Sequence, residues 1–184
     1  MENIRCHWVN SDPLYIKYHD YEWGVPCYKN QQLFEMICLE GQQAGLSWIT
    51  ILKKRAQYRD IFCSFSPINI ANLTDEYLEQ VLLNPGIIRN RLKVFGIRKN
   101  AQAYLKIEEV HGSFSNYIWA FVEGKVIKNK YKKSSEIPAE SAISMKMSKQ
   151  LKKDGFTFVG SKICYAFMQA SGMVNDHMVS CFKY

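Results

Sequence analysis

The sequence predicts an all-α protein. Apolar residues recur at three- and four-residue spacing through most of the chain, no run of alternating residues makes a convincing strand, and neither an internal repeat nor sustained heptads are present. At 184 residues the chain has room for one domain or two closely packed halves. We expect one domain over residues 1–184, because the motifs below need both ends of the chain together.

The elements follow in order. Gln32 to Glu40 carries Leu33, Phe34, Ile37 and Cys38 on one stripe. Leu46 to Tyr58 carries Trp48, Ile49, Ile51, Leu52 and Tyr58, with Lys53, Lys54 and Arg55 toward its end, where cations suit the helix dipole. Thr74 reads as the N-cap of a helix through Leu83, and Pro85-Gly86 as a turn. A long helix is expected from about Arg89 to Val110, bent near Gly96, then a short aromatic helix from Ser115 to Val122. Residues 123–140 are polar and breaker-rich and read as a loop. Helices resume over Ala142 to Lys153 and Ser161 to Ser171.

Hydrophobic residues make up 47%, which supplies a sizeable core and argues against disorder. The net charge of +7 favours an acidic partner, nucleic acid first, although solubility alone also accounts for it. The start, MENIRCHWVNSDP, has no apolar leader, and no segment is long enough for a bilayer, so a cytosolic protein with reduced cysteines is expected. The six cysteines contain no CxxC pair and read as no disulfide framework.

Three constellations carry chemistry. The first is LKKDGFTFVGSKICYAFMQASG, residues 151–172. One helix stops at Gly155, a connection ends at Gly160, and a second helix begins at once. Free N–H groups at that helix start can hold a phosphate, and Lys152, Lys153 and Lys162 flank the turn. The pattern resembles a helix-hairpin-helix element, over about 143–172, that grips a DNA backbone without reading sequence. It also reads as an ordinary helical hairpin with a basic rim.

The second is a possible metal site. His177 and Cys181 are four apart, one face of a helix if a helix forms there, and Cys6, His7 and His19 near the N-terminus offer further donors. A set of Cys6, His19, His177 and Cys181 would close a tetrahedral shell of structural zinc and tie the two termini together. Spacing alone favours two unrelated His/Cys pairs.

The third is Glu40, set beside Gln42, Gln43 and two glycines, with Trp8, Tyr15, Tyr18, Tyr21, Trp23 and Trp48 in the same third of the chain. Aromatic faces stack flipped-out bases, and indole is the best π partner of a cation. A nearby carboxylate would accept hydrogen bonds from an exocyclic amine. The alternative makes the aromatics core and Glu40 a cap or a lysine partner. A buried carboxylate without a partner is costly, which favours a role for Glu40.

Taken together, DPLYIKYHDYEWGVP, LFEMICLEGQQAGLSWITILKKR, GIIRNR and GFTFVGSKICYAFMQASGMVNDH closely resemble the bacterial 3-methyladenine DNA glycosylase I family, from about Cys6 to Cys181. The resemblance implies a helix-hairpin-helix glycosylase with one structural zinc on Cys6, His19, His177 and Cys181. It implies Glu40 as the residue that recognises the base and the catalytic candidate, Trp48 as its stacking platform, Tyr18 as a further contact, and Trp8, Tyr15 and Trp23 as pocket walls. Gly160, Ser161 and Lys162 become the backbone contacts. The implied partner is double-stranded DNA carrying alkylated purines, bound by a monomer associated with the bacterial nucleoid, and the implied reaction is hydrolysis of the 3-methyladenine glycosidic bond, which starts base excision repair. Asp176 follows the hairpin but adjoins His177, so it reads as structural. A bifunctional glycosylase-lyase and a non-enzymatic zinc-stapled DNA-binding module remain the alternatives. The tail after Cys181 is only Phe-Lys-Tyr.

Overall fold

A computed structural model describes residues 3–184. Nine α-helices form it among the described residues: α1 (Pro13–Tyr21), α2 (Asn30–Gln43), α3 (Trp48–Ile61), α4 (Pro67–Ala71), α5 (Asp75–Val81), α6 (Arg91–His111), α7 (Phe114–Trp119), α8 (Ala142–Lys153) and α9 (Ser161–Ala170). No helix of the described residues is long and apolar enough to cross a membrane.

Local chemistry sets the helix starts. Asp12 accepts from the Leu14 N–H with Pro13 at the first helical position, Thr74 accepts from Tyr77, Asn90 from Lys93, Ser113 from Asn116, and Ser141 and Ser144 cap each other reciprocally. Each such bond satisfies an N–H that the first helical turn leaves without a partner.

α2 lies at the centre. Leu33, Phe34 and Ile37 are fully buried, and the helix packs against α3, α6, α7 and α9. One large apolar core joins these helices to α4, α5 and α8. A second, smaller cluster gathers Cys6, Tyr18, Trp23, Leu52, Ala170 and Cys181, with Trp8, Tyr15 and Trp48 against it. The candidate site belongs to this second cluster.

Two short helices and a strand pair depart from the expected pattern. The buried residues of α1 are consecutive, Tyr18, His19 and Asp20, so they leave no stripe at three- or four-residue spacing. α4 has five residues, too few to display a period. Ile127–Lys128 (β1) pairs in parallel with Val174–Asn175 (β2), two residues each, and ties the expected loop to the C-terminal segment.

Gly96, where a bend is expected, is a place of close packing. α6 is one helix from Arg91 to His111, and a Cβ at Gly96 would lie 3.0 Å from Thr157 Oγ1 and 3.1 Å from the Phe158 ring. The glycine makes room for the connection between α8 and α9.

Candidate active site

α2 carries Glu40 in its last turn, and the break at residues 44–47 returns the chain so that Trp48 opens α3. Lys93 of α6 holds this break. Its ammonium donates to the carbonyls of Gln42 at 2.8 Å and Ala44 at 2.7 Å, which the end of a helix leaves without partners. Gln42 donates back to the Lys93 carbonyl at 3.0 Å and accepts from the Tyr58 hydroxyl at 3.1 Å. The amide next to the glutamate therefore serves the frame.

Trp8, Tyr15, Tyr18, Trp23, Glu40 and Trp48 line a single pocket of about 320 Å³. The rings form a continuous wall: Trp8 to Tyr15 at 4.9 Å, Trp8 edge-on to Trp23 at 5.1 Å, and Tyr18 to Trp48 at 5.3 Å between centroids. Tyr21, counted among the same aromatics in the sequence, is exposed and lies outside it.

Glu40 is 4% exposed, and its carboxyl has no hydrogen-bond partner or ion pair among the described residues. Burial pushes it up to about 8. The indole N–H of Trp48 is likewise buried without a partner. Two polar groups with nothing to bond in the protein thus occur together in an aromatic pocket, where each would be costly unless something else meets it.

The pocket has lining residues that the sequence did not single out, Ser134, Ile137, Ala166 and Gln169, and it also takes in Gln43 and His7, the latter read from the sequence only as a possible metal donor. Ala166 and Gln169 are three apart on α9, a spacing that places them on one face. Ser134 and Ile137 come from the polar stretch read as a plain loop. Asp176 is buried and accepts from Asn129, the Tyr165 hydroxyl and the Gln169 amide at 2.7–2.8 Å, so it orients a pocket residue from behind.

Behind the Trp8–Trp23 wall, one donor atom each from Cys6, His19, His177 and Cys181 lies within 4.8 Å of the others. Cys181 Sγ is 3.4 Å from His19 Nε2 and 3.5 Å from His177 Nδ1, and Cys6 Sγ is 3.5 Å from His177 Nδ1. Bonds of about 2.3 Å from zinc to sulfur and 2.0–2.1 Å to nitrogen would give tetrahedral S···N edges of about 3.6 Å, close to these three distances. The far nitrogen of each ring is also held, His19 Nδ1 by Asp20 at 2.7 Å and His177 Nε2 by the Trp23 carbonyl at 3.2 Å. Without a metal, burial lowers both imidazoles, His177 to about 4, and raises the Cys6 thiol to about 12. The pair His177 and Cys181 does not sit on a helix. A turn closed by the Cys181 N–H on the Met178 carbonyl at 2.8 Å brings the two together instead.

The connection between α8 and α9 leads into the helix that supplies Ala166 and Gln169 to the pocket. Gly160 precedes α9, and nothing lies within 4 Å of where its Cβ would be, so a ligand can approach the backbone. Ser161 is half-buried and its hydroxyl donates to Glu140, while Lys162 is exposed. Ala166 lies five residues along the same helix, roughly 7–8 Å at 1.5 Å per residue, so one rigid element joins this turn to the pocket wall.

Comparison with known proteins gives this geometry a family. The methyladenine glycosylase family model matches residues 8–184. The chain belongs to the methyladenine glycosylase family. It is 52% identical over 180 residues to DNA-3-methyladenine glycosylase 1 of Escherichia coli (strain K12), covering 98% of this chain and 96% of that one. A crystal structure of 3-methyladenine DNA glycosylase I superposes with a TM-score of 0.96 at 53% identity, covering 97% of this chain and 98% of the other. A Tyr-to-Phe variant of 3-methyladenine DNA glycosylase I, solved in complex with 3-methyladenine, superposes with a TM-score of 0.94 at 37% identity over 97% of this chain and 96% of that one. The all-α glycosylase fold expected from the sequence is the one observed.

Proposed function

We propose that this methyladenine glycosylase is a monofunctional enzyme that releases 3-methyladenine from alkylated DNA by hydrolysis of its N-glycosidic bond. The observation that carries the site assignment is Glu40, a buried carboxyl with no protein partner in an aromatic pocket that also holds Trp48. A purine methylated at N3 is cationic. It stacks on indole through cation–π attraction and meets the one group on Glu40 that a cation stabilises. Binding draws the carboxyl, held near 8 by burial, into its charged form. The charged base also weakens its own glycosidic bond and leaves as a neutral molecule, so the pocket needs no acid to protonate it. The remaining tasks are to flip the nucleotide, hold it and admit water to C1′.

The turn at Gly160, Ser161 and Lys162 is read as the phosphate grip of a helix-hairpin-helix element, supported by the open backbone at Gly160 and by the exposed lysine. Cys6, His19, His177 and Cys181 would hold one structural zinc. The ion would add folding energy and brace the Trp8–Trp23 wall, and all four positions around it are taken by protein. No lysine lines the pocket among the described residues, which favours simple hydrolysis over a Schiff-base lyase step.

The test is incubation of purified protein with methylated duplex DNA and identification of the released base. The expected product is 3-methyladenine from DNA left with intact strands at abasic sites. Binding without base release would support a DNA-binding module instead, and trapping on abasic DNA by borohydride would support a lyase.

A further inference from the structure

Glu40 also borders a second, narrow cleft of about 20 Å³, shared with Glu22, Glu35, Trp48, Arg55 and Arg59. Two arginines therefore border the same space as a carboxyl that has no partner. Each is already taken. Arg55 grips Glu22 through both guanidinium ends, at 2.5 and 2.9 Å, and Arg59 donates to Glu35 at 2.7 and 2.8 Å. Around the cleft the two ion pairs cancel, and Glu40 is left as the group without a counter-charge.

The Arg55 pair is the tighter constraint. Its side chains are 17% and 27% exposed, against 44% for Arg59, and its geometry is bidentate. Arg55 is seven residues beyond Trp48, which places both on one stripe of α3 facing α1 and α2. Glu22 is the C-cap residue of α1 and approaches from the opposite side. Of the carboxyls on this space, Glu35 also acts on Arg55 but is already held by Arg59, which leaves Glu40 as the one without a partner among the described residues.

We infer that Glu22 is a specificity-determining positioning residue: by holding Arg55 it keeps Glu40 without a counter-ion, so that the cationic purine, not a protein arginine, completes the charge pair. The inference rests on the base-pocket reading above. The other groups facing Glu40 do not alter it. Tyr15 and Tyr18 of α1 are raised by burial and stay neutral, Glu35 of α2 is committed to Arg59, and α9 contributes only Ala166, Gln169 and Ala170. His7 stands on the pocket lining, and Lys93 is spent on the carbonyls at the end of α2.

The test is a suppressor experiment on single-turnover release of 3-methyladenine. E22Q should slow release about tenfold, the value of one charged hydrogen bond misdirected. Its acid limb in kcat/KM should move to lower pH than wild type, because an adjacent Arg55 favours the carboxylate. Adding R55M should restore release to within about threefold of wild type, since the competing cation is gone. A purely structural role for Glu22 predicts no rescue and no movement of the limb. E22Q as fast as wild type, or an E22Q/R55M protein that folds and stays slow, overturns the inference. If E22Q alone does not fold, a folded double variant decides it: normal release supports the proposal and slow release overturns it. The E40Q variant separates the two levels, because wild-type release by E40Q would refute the pocket reading itself, whereas a slow E40Q beside a normal E22Q refutes only the role of Glu22.

Discussion

Phe158, in the connection between α8 and α9, lies against Gly41, the residue that follows Glu40. A Cβ at Gly41 would come within 3.0 Å of the Phe158 Cβ and 3.2 Å of its carbonyl oxygen. The same side chain fills the space left by Gly96 on α6. The proposed phosphate grip and the proposed base pocket are thus wedged together through one aromatic residue. Gly41→Ala should cost about 1–3 kcal/mol of stability through overpacking. It should also slow base release, because Glu40 moves with its neighbour. Thermal melting and single-turnover release check both effects, and wild-type values for both would contradict the coupling.

Cys181→Ala removes one of four converging donors. Zinc content should fall from about one per chain toward none, and the melting temperature should fall with it, since metal binding is linked to folding. Trp8 packs 5.3 Å from His19 and Trp23 packs 4.6 Å from His177, so tryptophan emission should change as well. Metal analysis of wild-type protein purified without chelator is the check. Absence of zinc there would contradict the proposed staple.

Lys162→Ala should weaken binding to undamaged duplexes evenly across sequences. The slope of log affinity against log salt should drop by about one, as expected for one lost phosphate contact. Titrations at several salt concentrations measure it. An unchanged slope would remove Lys162 from the backbone contacts.

Burial raises Glu40 from an ordinary value of 4.5 to about 8. For a group raised on folding, the contribution to stability is fully present below the unfolded value and is lost as pH rises through the folded one. Wild-type stability should therefore decline between about pH 5 and 8 from this cause, while Glu40→Gln escapes the decline. The variant's advantage in melting temperature should grow over that window to several degrees, at about 2–4 °C per kcal/mol for a chain of this size. A difference that stays flat with pH would mean that Glu40 is not desolvated in solution.

The long elements were legible because their chemistry is local. α8 begins and ends at the expected residues, and Thr74, Gly155 and Gly160 punctuate the chain where the pattern places them. α1 was not legible, because its burial comes from tertiary contacts of three successive residues. The metal-donor cluster shows the same division. The residue types were visible, but a turn and not a helix brings His177 to Cys181. Glu40 and Trp48 stood out as a carboxylate and an indole in one short stretch. Gln169 and Ile137 did not, because they reach the pocket from segments far away in sequence, and no local pattern encodes that meeting. The Glu22–Arg55 pair has the same character, joining two helices across thirty-three residues.

The most direct test of the account is single-turnover release of 3-methyladenine by Glu40→Gln, with melting temperature and zinc content measured on the same preparation. The variant keeps the shape of the side chain and removes its charge. If Glu40 selects the cationic base, release should slow by roughly tenfold to a hundredfold, the equivalent of a charged hydrogen bond of 1.5–3 kcal/mol. Zinc content and affinity for undamaged duplex should stay at wild-type levels, and the variant should melt no lower than wild type. Release at the wild-type rate by a folded protein would contradict the account and make the buried carboxyl a structural group.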